Sequence, residues 1–310
     1  MSSVSILVLG GSGFIGKALV RELLQKRFNI TLLLRPASEL SCDIAGEVNR
    51  IDCADWSKEG IEALLKDRNY DFVINAASYG VNPKDRDSQE LMAINLILPS
   101  ILVELCHRWG AKMILLGSCS EYKSQDGDVA LDEPSALEST QLYGASKAAG
   151  ALMASALAES FGVYLRVLRL FNVYGLGESP HRLLPVLLKD LEAGKRVPLS
   201  SGSQVRDFIY LKDVIDAITV TIEYLRTGKS LAYTDTWNVC TGEPSSVRFF
   251  AETVAAKLNK SASQLGFGDL AWRADDMPYV VGCPKKMKKK AGWHAKYTLP
   301  DGIEDILRCR

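Results

Sequence analysis

The chain has 310 residues, 47% of them hydrophobic, and its 37 basic and 37 acidic side chains cancel to a formal net charge of zero. That is ample for a large core, and the charge balance excludes a disordered polyelectrolyte and a protein that holds nucleic acid on a basic surface. Met1-Ser2-Ser3 runs straight into an apolar stretch without a leader, and no apolar stretch approaches a membrane span, so a cytoplasmic protein with no membrane contact is expected.

The first apolar run, Ile6–Leu9, is followed by Gly10-Gly11-Ser12-Gly13-Phe14-Ile15-Gly16 and then by Lys17 to Leu24, which has helical periodicity. A helix N-terminus offers N–H groups and a positive dipole end, and glycines let backbone approach a pyrophosphate without a Cβ in the way. Strand, glycine turn and helix in that order therefore point to a dinucleotide at Gly10, Gly13 and Gly16. Further β-type runs recur at Ile30–Leu34, Phe72–Asn75, Met113–Leu116 and Tyr164–Leu170, with helical segments between them, notably Gln89 to Trp109 and Tyr143 to Phe161. This alternation predicts an α/β protein with a doubly wound parallel sheet, whose ligands lie outside the carboxyl ends of the strands.

From Asn172 onward, loops rich in Gly, Pro and Ser with shorter helices mark a smaller lobe, while Val214 to Leu225 reads as a helix packed on the main sheet. The expected division is a cofactor-binding domain over 1–171 and about 212–235, and a smaller α/β lobe over about 172–211 and 236–310. The lysine run Lys285 to Lys290 reads as a solvated helix face. Seven cysteines at irregular spacings and three histidines give neither a disulfide framework nor a zinc pattern, so no metal site is expected.

Tyr143 is followed at the next helical turn by Lys147, which puts both side chains on one face of an Ala-rich helix. A phenol is a poor acid or base at neutral pH until a nearby cation favours its phenolate, and a lysine one turn away supplies that charge. The pair can thus move a proton to or from a carbinol oxygen. Ser118 ends the run Met113–Leu116, where its hydroxyl could hold a substrate oxygen or simply start a turn. The run Ile30–Leu34 ends in Arg35 where NAD-selective sites carry Asp or Glu; a cation there welcomes a 2′-phosphate, so NADP(H) is the favoured cofactor and NAD(H) the alternative.

Taken in order, the glycine turn, Asn75-Ala76-Ala77, Asn95, Ser118, Tyr143 with Lys147, Phe171-Asn172-Val173-Tyr174-Gly175, Leu184-Pro185, Arg206-Asp207-Phe208-Ile209-Tyr210 and Trp237 to Gly242 resemble the extended short-chain dehydrogenase/reductase family, in its sugar-nucleotide-modifying branch. The resemblance covers nearly the whole chain. It implies a Rossmann-type sheet and a hydride moved between the nicotinamide and a sugar carbon, with Tyr143 as acid or base. Lys147 would bind the nicotinamide ribose and Ser118 the reacting oxygen. Gly10, Gly13, Phe14, Ile15, Gly16, Asp52, Cys53, Ala76, Ala77 and Asn95 would line the cofactor, Asp52 accepting from the adenine amine. Asn172, Leu184, Val197 and Arg206 would line a nucleotide-sugar substrate, Asn172 and Arg206 at its diphosphate; independently, Arg206 beside Asp207 could be a structural ion pair. The resemblance also implies a homodimer through a four-helix bundle.

Arg35 leans the expected reaction toward NADPH-dependent reduction of a nucleotide-linked 4-keto (6-deoxy)hexose, with a nucleotide-sugar 4-epimerase holding NAD as the alternative. Dehydratases of the branch carry acids in the two places after the serine, here Cys119 and Ser120, which cannot easily do that work. The cysteine and histidine pattern of the family's 3,5-epimerase-reductases is out of register, since Arg182 stands where their histidine would be and His181 is one place early. A non-catalytic nucleotide sensor is disfavoured by the presence of Ser118, Tyr143 and Lys147. No residue names the nucleobase.

Overall fold

Ile6, Leu7, Val8 and Leu9 are fully buried in the first strand, β1 (Ser5–Leu9), as an apolar run without alternation requires. The computed structural model describes residues 4–82, 84–125, 127–228, 232–272 and 277–310. Within them, β2 (Asn29–Leu34), β3 (Asn49–Asp52), β4 (Phe72–Asn75), β5 (Lys112–Ser118), β6 (Leu165–Leu170) and β7 (Thr234–Val239) join β1 in a seven-stranded parallel sheet of order β7-β6-β5-β4-β1-β2-β3. This is the expected Rossmann-type doubly wound sheet. Leu9 pairs with Leu33 of β2 and with Asn75 of β4, so the order reverses beside β1 and the ends of β1, β2 and β4 share one edge.

Two strands were not foreseen. β3 is an edge strand reading Asn-Arg-Ile-Asp, of which only Ile51 is buried, and β7 begins with Thr-Asp-Thr; neither shows the apolar run that marks a central strand.

Four helices matter for the chemistry: α1 (Phe14–Gln25), α2 (Ser88–Trp109), α3 (Leu142–Phe161) and α4 (Leu211–Arg226). α2 widens to a π-helical stretch over Leu91–Ile97. The cause is Pro99, which has no N–H for the Asn95 carbonyl and whose ring crowds it. α3 receives this displaced carbonyl with a glycine, since a Cβ on Gly150 would lie 1.8 Å from the Asn95 oxygen. The buried face of α3 continues with Ala151, Ala154 and Ala158, which share a core cluster with Leu98, Ile101, Leu102 and Leu105 of α2 and Val73, Met113 and Leu115 of the sheet. α2 also corrects the sequence reading. It is long and apolar enough to cross a membrane by length and composition, but half of its most apolar window is buried inside the protein, because it is a core helix of this layer.

The chain divides into two compact units. One comprises Met1–Lys123, Ser135–Arg169 and Ile215–Trp237 and contains β1 to β5 with most of β6; the other comprises Ser124–Pro134, Leu170–Val214 and Asn238–Arg310. The second unit is organised on fully buried Asp207, whose carboxylate accepts from Thr241 N and Oγ1 at 2.8 and 2.7 Å, Gly242 N at 2.8 Å and Gly282 N at 3.2 Å. Four donors offset the cost of burying that charge. The lysine run forms the helix Lys285–Ala291, anchored by fully buried Met287.

Candidate active site

The glycine turn separates two physical demands. Gly10 adopts φ +75°, and a Cβ there would stand 2.5 Å from the Ala76 carbonyl carbon, while a Cβ on buried Gly16 would stand 2.0 Å from the Gly10 oxygen. Both are dictated by the protein's own packing. Gly13 is exposed, and its Cβ would meet a single atom, the Gly10 oxygen at 3.3 Å. The turn is tied by Gly13 N donating to Gly10 O at 3.0 Å and Lys17 N to Gly13 O at 2.9 Å. No side chain caps α1 and no acid lies in its first turn, so its N-terminus, with Phe14 and Ile15, presents an uncompensated positive end. A glycine that packing does not demand, beside such an end, fits a pyrophosphate.

Along the same edge, Ala77 N donates to the Asn75 side chain at 3.0 Å, shaping the turn after β4. Asn95, at the π-helical stretch, is buried. Its amide donates to Tyr79 O and Ser146 Oγ, both at 2.9 Å, and its oxygen accepts from Tyr79 N at 3.0 Å. Asn95 thus clamps the segment behind Ala76 and Ala77 to α3. Cys53 is fully buried, its thiol pushed up to about 11 by burial first and then by Asp55, and it donates to Asp55 O at 3.0 Å.

At the end of β5, Ser118 opens a capping box. Its Oγ accepts from Ser120 N at 3.1 Å, while its N–H donates to Glu121 Oε1 at 2.9 Å. With that acceptor role filled, the Ser118 proton is available for donation. α3 closes on this loop through Gly144, where a Cβ would be 2.1 Å from Ser120 O. The half-buried Tyr143 phenol is hydrogen-bonded to Ser118 and, at 3.5 Å, to Ser78, a contact in which either hydroxyl can donate. Burial raises its pKa above the ordinary tyrosine value, and the two hydroxyls act the other way. Lys147 is buried with its Nζ donating to Leu116 O at 2.7 Å; burial lowers its pKa and the Glu121 charge opposes that. The structure therefore brings Ser118, Tyr143 and Lys147 together, although the phenol is governed first by burial and the expected cationic pull is not what sets it. This hydroxyl, phenol and ammonium can together exchange a proton with a carbinol oxygen.

Residues 6–240 match the model of the NAD dependent epimerase/dehydratase family. The chain belongs to that family. Over 99% of its length and 94% of the relative's it is 26% identical to a bifunctional UDP-glucose 4-epimerase and UDP-xylose 4-epimerase of Pisum sativum. It is 25% identical to a dTDP-6-deoxy-L-talose 4-dehydrogenase (NAD(P)(+)) of Kitasatospora kifunensis, with 97% and 94% of the two chains covered. Among solved structures, UDP-glucose 4-epimerase of Thermotoga maritima with UDP-glucose superposes with a TM-score of 0.87 at 20% identity, covering 98% of each chain. UDP-glucose 4-epimerase of Thermus thermophilus in complex with NAD gives 0.84 at 25% identity, again over 98% of each. The dTDP-glucose 4,6-dehydratase of Bacillus anthracis in complex with NAD gives 0.85 at 22%, covering 99% and 96%. The epimerase/dehydratase family comprises NAD(P)-dependent oxidoreductases acting on nucleotide sugars.

For this family member the expectation of NADP(H) is overturned: the Thermus and Bacillus enzymes hold NAD, and the family is described by it. The local geometry explains why Arg35 misleads. Leu34 stands opposite Asp52, whose carboxylate is paired with Arg50, so the strand end beside Arg35 offers no second free cation for a 2′-phosphate. The second cation at this edge, Arg50, is committed, donating to Asp52 at 2.9 Å and to Pro36 O and Ser38 O at 3.0 and 2.9 Å. Exposed Arg35 is one cation on a loop, and one cation beside an acid does not build a phosphate site.

In the second unit, Asn172 donates its N–H to Asp207 O at 3.0 Å, and its side-chain Nδ2 is buried without a protein partner, which leaves a donor for a ligand oxygen. Arg206 is buried and donates to Val205 O at 2.7 Å. Leu184 and Val197 point into the core, so only their backbone is available to a ligand. Arg182 pairs with Glu178 at 3.1 Å.

Sequence reasoning missed Ser78, Glu121 and Arg169, whose Nε donates to the Glu121 carboxylate at 2.8 Å. Glu121 had a readable signal, the Ser118 to Glu121 capping-box spacing; Ser78 and Arg169 had none, because only the fold brings them to this edge.

Gly13→Ala is expected to keep the fold and weaken NAD binding at least about tenfold, whereas Gly16→Ala should lower the melting temperature. Titration calorimetry with NAD and thermal unfolding separate the two effects. A Gly13→Ala protein that binds NAD as tightly as the parent would remove the pyrophosphate from this turn.

Proposed function

We propose that the protein is a nucleotide-sugar 4-epimerase that keeps NAD bound through its cycle. The observation that carries this reading is the Ser118, Tyr143 and Lys147 constellation at the edge that bears the glycine turn, supported by the resemblance to the Pisum and Thermus 4-epimerases. Net reduction rested on Arg35 and NADPH, and its ground is gone. Dehydration lacks acids at Cys119 and Ser120.

In this reading bound NAD supplies a hydride acceptor at the nicotinamide. Tyr143, as the phenolate that the Ser78 and Ser118 hydroxyls favour, takes the proton of the sugar C4 hydroxyl as that carbon is oxidised and returns it when the carbonyl is reduced from the opposite face. Ser118, its Oγ already accepting from Ser120 N–H, donates to the reacting oxygen and stabilises the charge that develops there. Lys147, held by the Leu116 carbonyl, is assigned to the nicotinamide ribose. Gly10, Gly13, Phe14, Ile15, Gly16, Asp52, Cys53, Ala76 and Ala77 line the cofactor, with Asn95 supporting them from behind. Asn172 and Arg206 are assigned to the substrate diphosphate, with the backbone at Leu184 and Val197 beside the nucleotide. The division into a cofactor-binding domain and a nucleotide-sugar lobe is part of the same proposal.

Incubation with UDP-, dTDP-, GDP- and CDP-hexoses should convert at least one to its 4-epimer, resolved by ion-exchange chromatography, with no net change in nicotinamide absorbance. Tyr143→Phe should cut kcat by about 10²- to 10⁴-fold. Stoichiometric consumption of reduced cofactor would replace epimerisation by reduction.

A homodimer is also proposed. Met92 and Ile97 on α2 and Leu152 and Met153 on α3 are 48%, 52%, 59% and 50% exposed, an apolar stripe on two adjacent helices that a second copy can cover as a four-helix bundle. Sedimentation should give a dimer, and Leu152→Glu a monomer; a monomeric parent protein would end this proposal.

A further inference from the structure

Exposed Ser78, on the turn after β4, lies with its Oγ 3.5 Å from the Tyr143 phenol oxygen and 3.4 Å from Asn95 Oδ1. Two residues on, the backbone runs along the same ring, since a Cβ on Gly80 would stand 3.3 Å from Tyr143 Cδ2. The Asn95 amide is locked in one orientation. Its oxygen takes the Tyr79 N–H at 3.0 Å and its nitrogen donates to Tyr79 O at 2.9 Å. Ser146 Oγ, whose own proton goes to Tyr143 O at 2.8 Å, offers that nitrogen only a lone pair, at 2.9 Å. Ser78 therefore faces a fixed acceptor on one side and, on the other, a phenol that donates when neutral and accepts when ionised.

That arrangement gives the hydroxyl two settings. With its proton on Asn95 Oδ1, Ser78 Oγ accepts from the neutral phenol. With its proton swung to Tyr143, it donates to the phenolate, and Asn95 Oδ1 keeps the Tyr79 N–H, so neither setting strands it. Ser118 also has a single proton, and its Oγ already accepts from Ser120 N at 3.1 Å. Once that proton goes to the sugar oxygen, it is no longer available to the phenolate.

We infer that Ser78 is a positioning residue of the reaction: held by Asn95, its hydroxyl follows the protonation state of Tyr143 and is the donor to the phenolate while Ser118 serves the sugar oxygen. The inference rests on the reading that Ser118 and Tyr143 do the proton chemistry. Burial raises the Tyr143 pKa most, and the Ser78 hydroxyl opposes it, because a hydrogen bond to an anion is stronger than one to a neutral oxygen. The other titratable groups around the phenol are Lys147 one turn along α3, Glu121 and Cys119 on the loop after β5, and Arg86, which donates to Gly80 O at 2.8 Å. Removing the Ser78 hydroxyl leaves all of these groups in place.

The test is Ser78→Ala, a surface substitution that keeps the fold. Tyrosinate absorbance after a rapid pH jump, taken as the difference between each protein and its Tyr143→Phe counterpart, reports the Tyr143 titration without substrate or turnover. The pH profile of kcat reports it with the sugar bound. Ser78→Ala should move both to higher pH, the kcat limb further than the titration, because Ser118 still serves the phenolate when no sugar is present. At neutral pH kcat should fall about tenfold, with KM for the nucleotide sugar within about threefold of the parent. A kcat limb that stays in place, or that moves no further than the substrate-free titration, overturns the inference. Absence of turnover in the parent protein would instead defeat the epimerase reading. The titration then decides for Ser78: a shift to higher pH upholds its bond to the phenolate, and an unmoved titration overturns it.

Discussion

β1 lies between β2 and β4, with Leu9 opposite Leu33 on one side and Asn75 on the other, and the chemistry depends on this parallel register. Parallel strands end at one edge, so the turn after β1, the turn after β4 and the loop after β5 all open there. The register brings the Gly10 and Ala76 backbones so close that no side chain fits between them, the Gly10 Cβ position being 2.5 Å from the Ala76 carbonyl carbon. What remains above this contact is backbone N–H and a helix end, which is what a pyrophosphate needs.

α3 is held to that edge by the absence of side chains. Gly144 sits where a Cβ would strike Ser120 O at 2.1 Å, and Gly150 where it would strike Asn95 O at 1.8 Å. Two close approaches on one helix fix the positions of Tyr143 and Lys147, which lie beside and between them in sequence. Burial there costs Lys147 solvation, and the fold answers with the Leu116 carbonyl and the Glu121 charge.

The main sheet and the glycine turn were legible because they obey local rules. Buried parallel strands are apolar runs, and a helix after a strand needs glycines for the turn. β3 and β7 escaped the same rule, as their residues face water on one side or along an edge. Tyr143 and Lys147 were readable from helical spacing, but the state of the phenol was not, since burial and the hydroxyls of Ser78 and Ser118 come from three separate segments. Asn95 was placed by resemblance, and its hydrogen bonds to Ser78, Tyr79 and Ser146 could not be read from the sequence because three separate segments meet there. Arg35 was misread because a strand-end residue was judged alone, without the Asp52 that the register sets beside it.

The central claim is that one carbon is oxidised and reduced within a single binding event, the proton passing through Tyr143 and the hydride staying in the site. Isotope transfer tests it most directly. With a nucleotide hexose deuterated at C4, the account predicts that both epimers carry deuterium at C4 and that free nicotinamide stays unlabelled. Loss of the label to solvent or to free cofactor would contradict it.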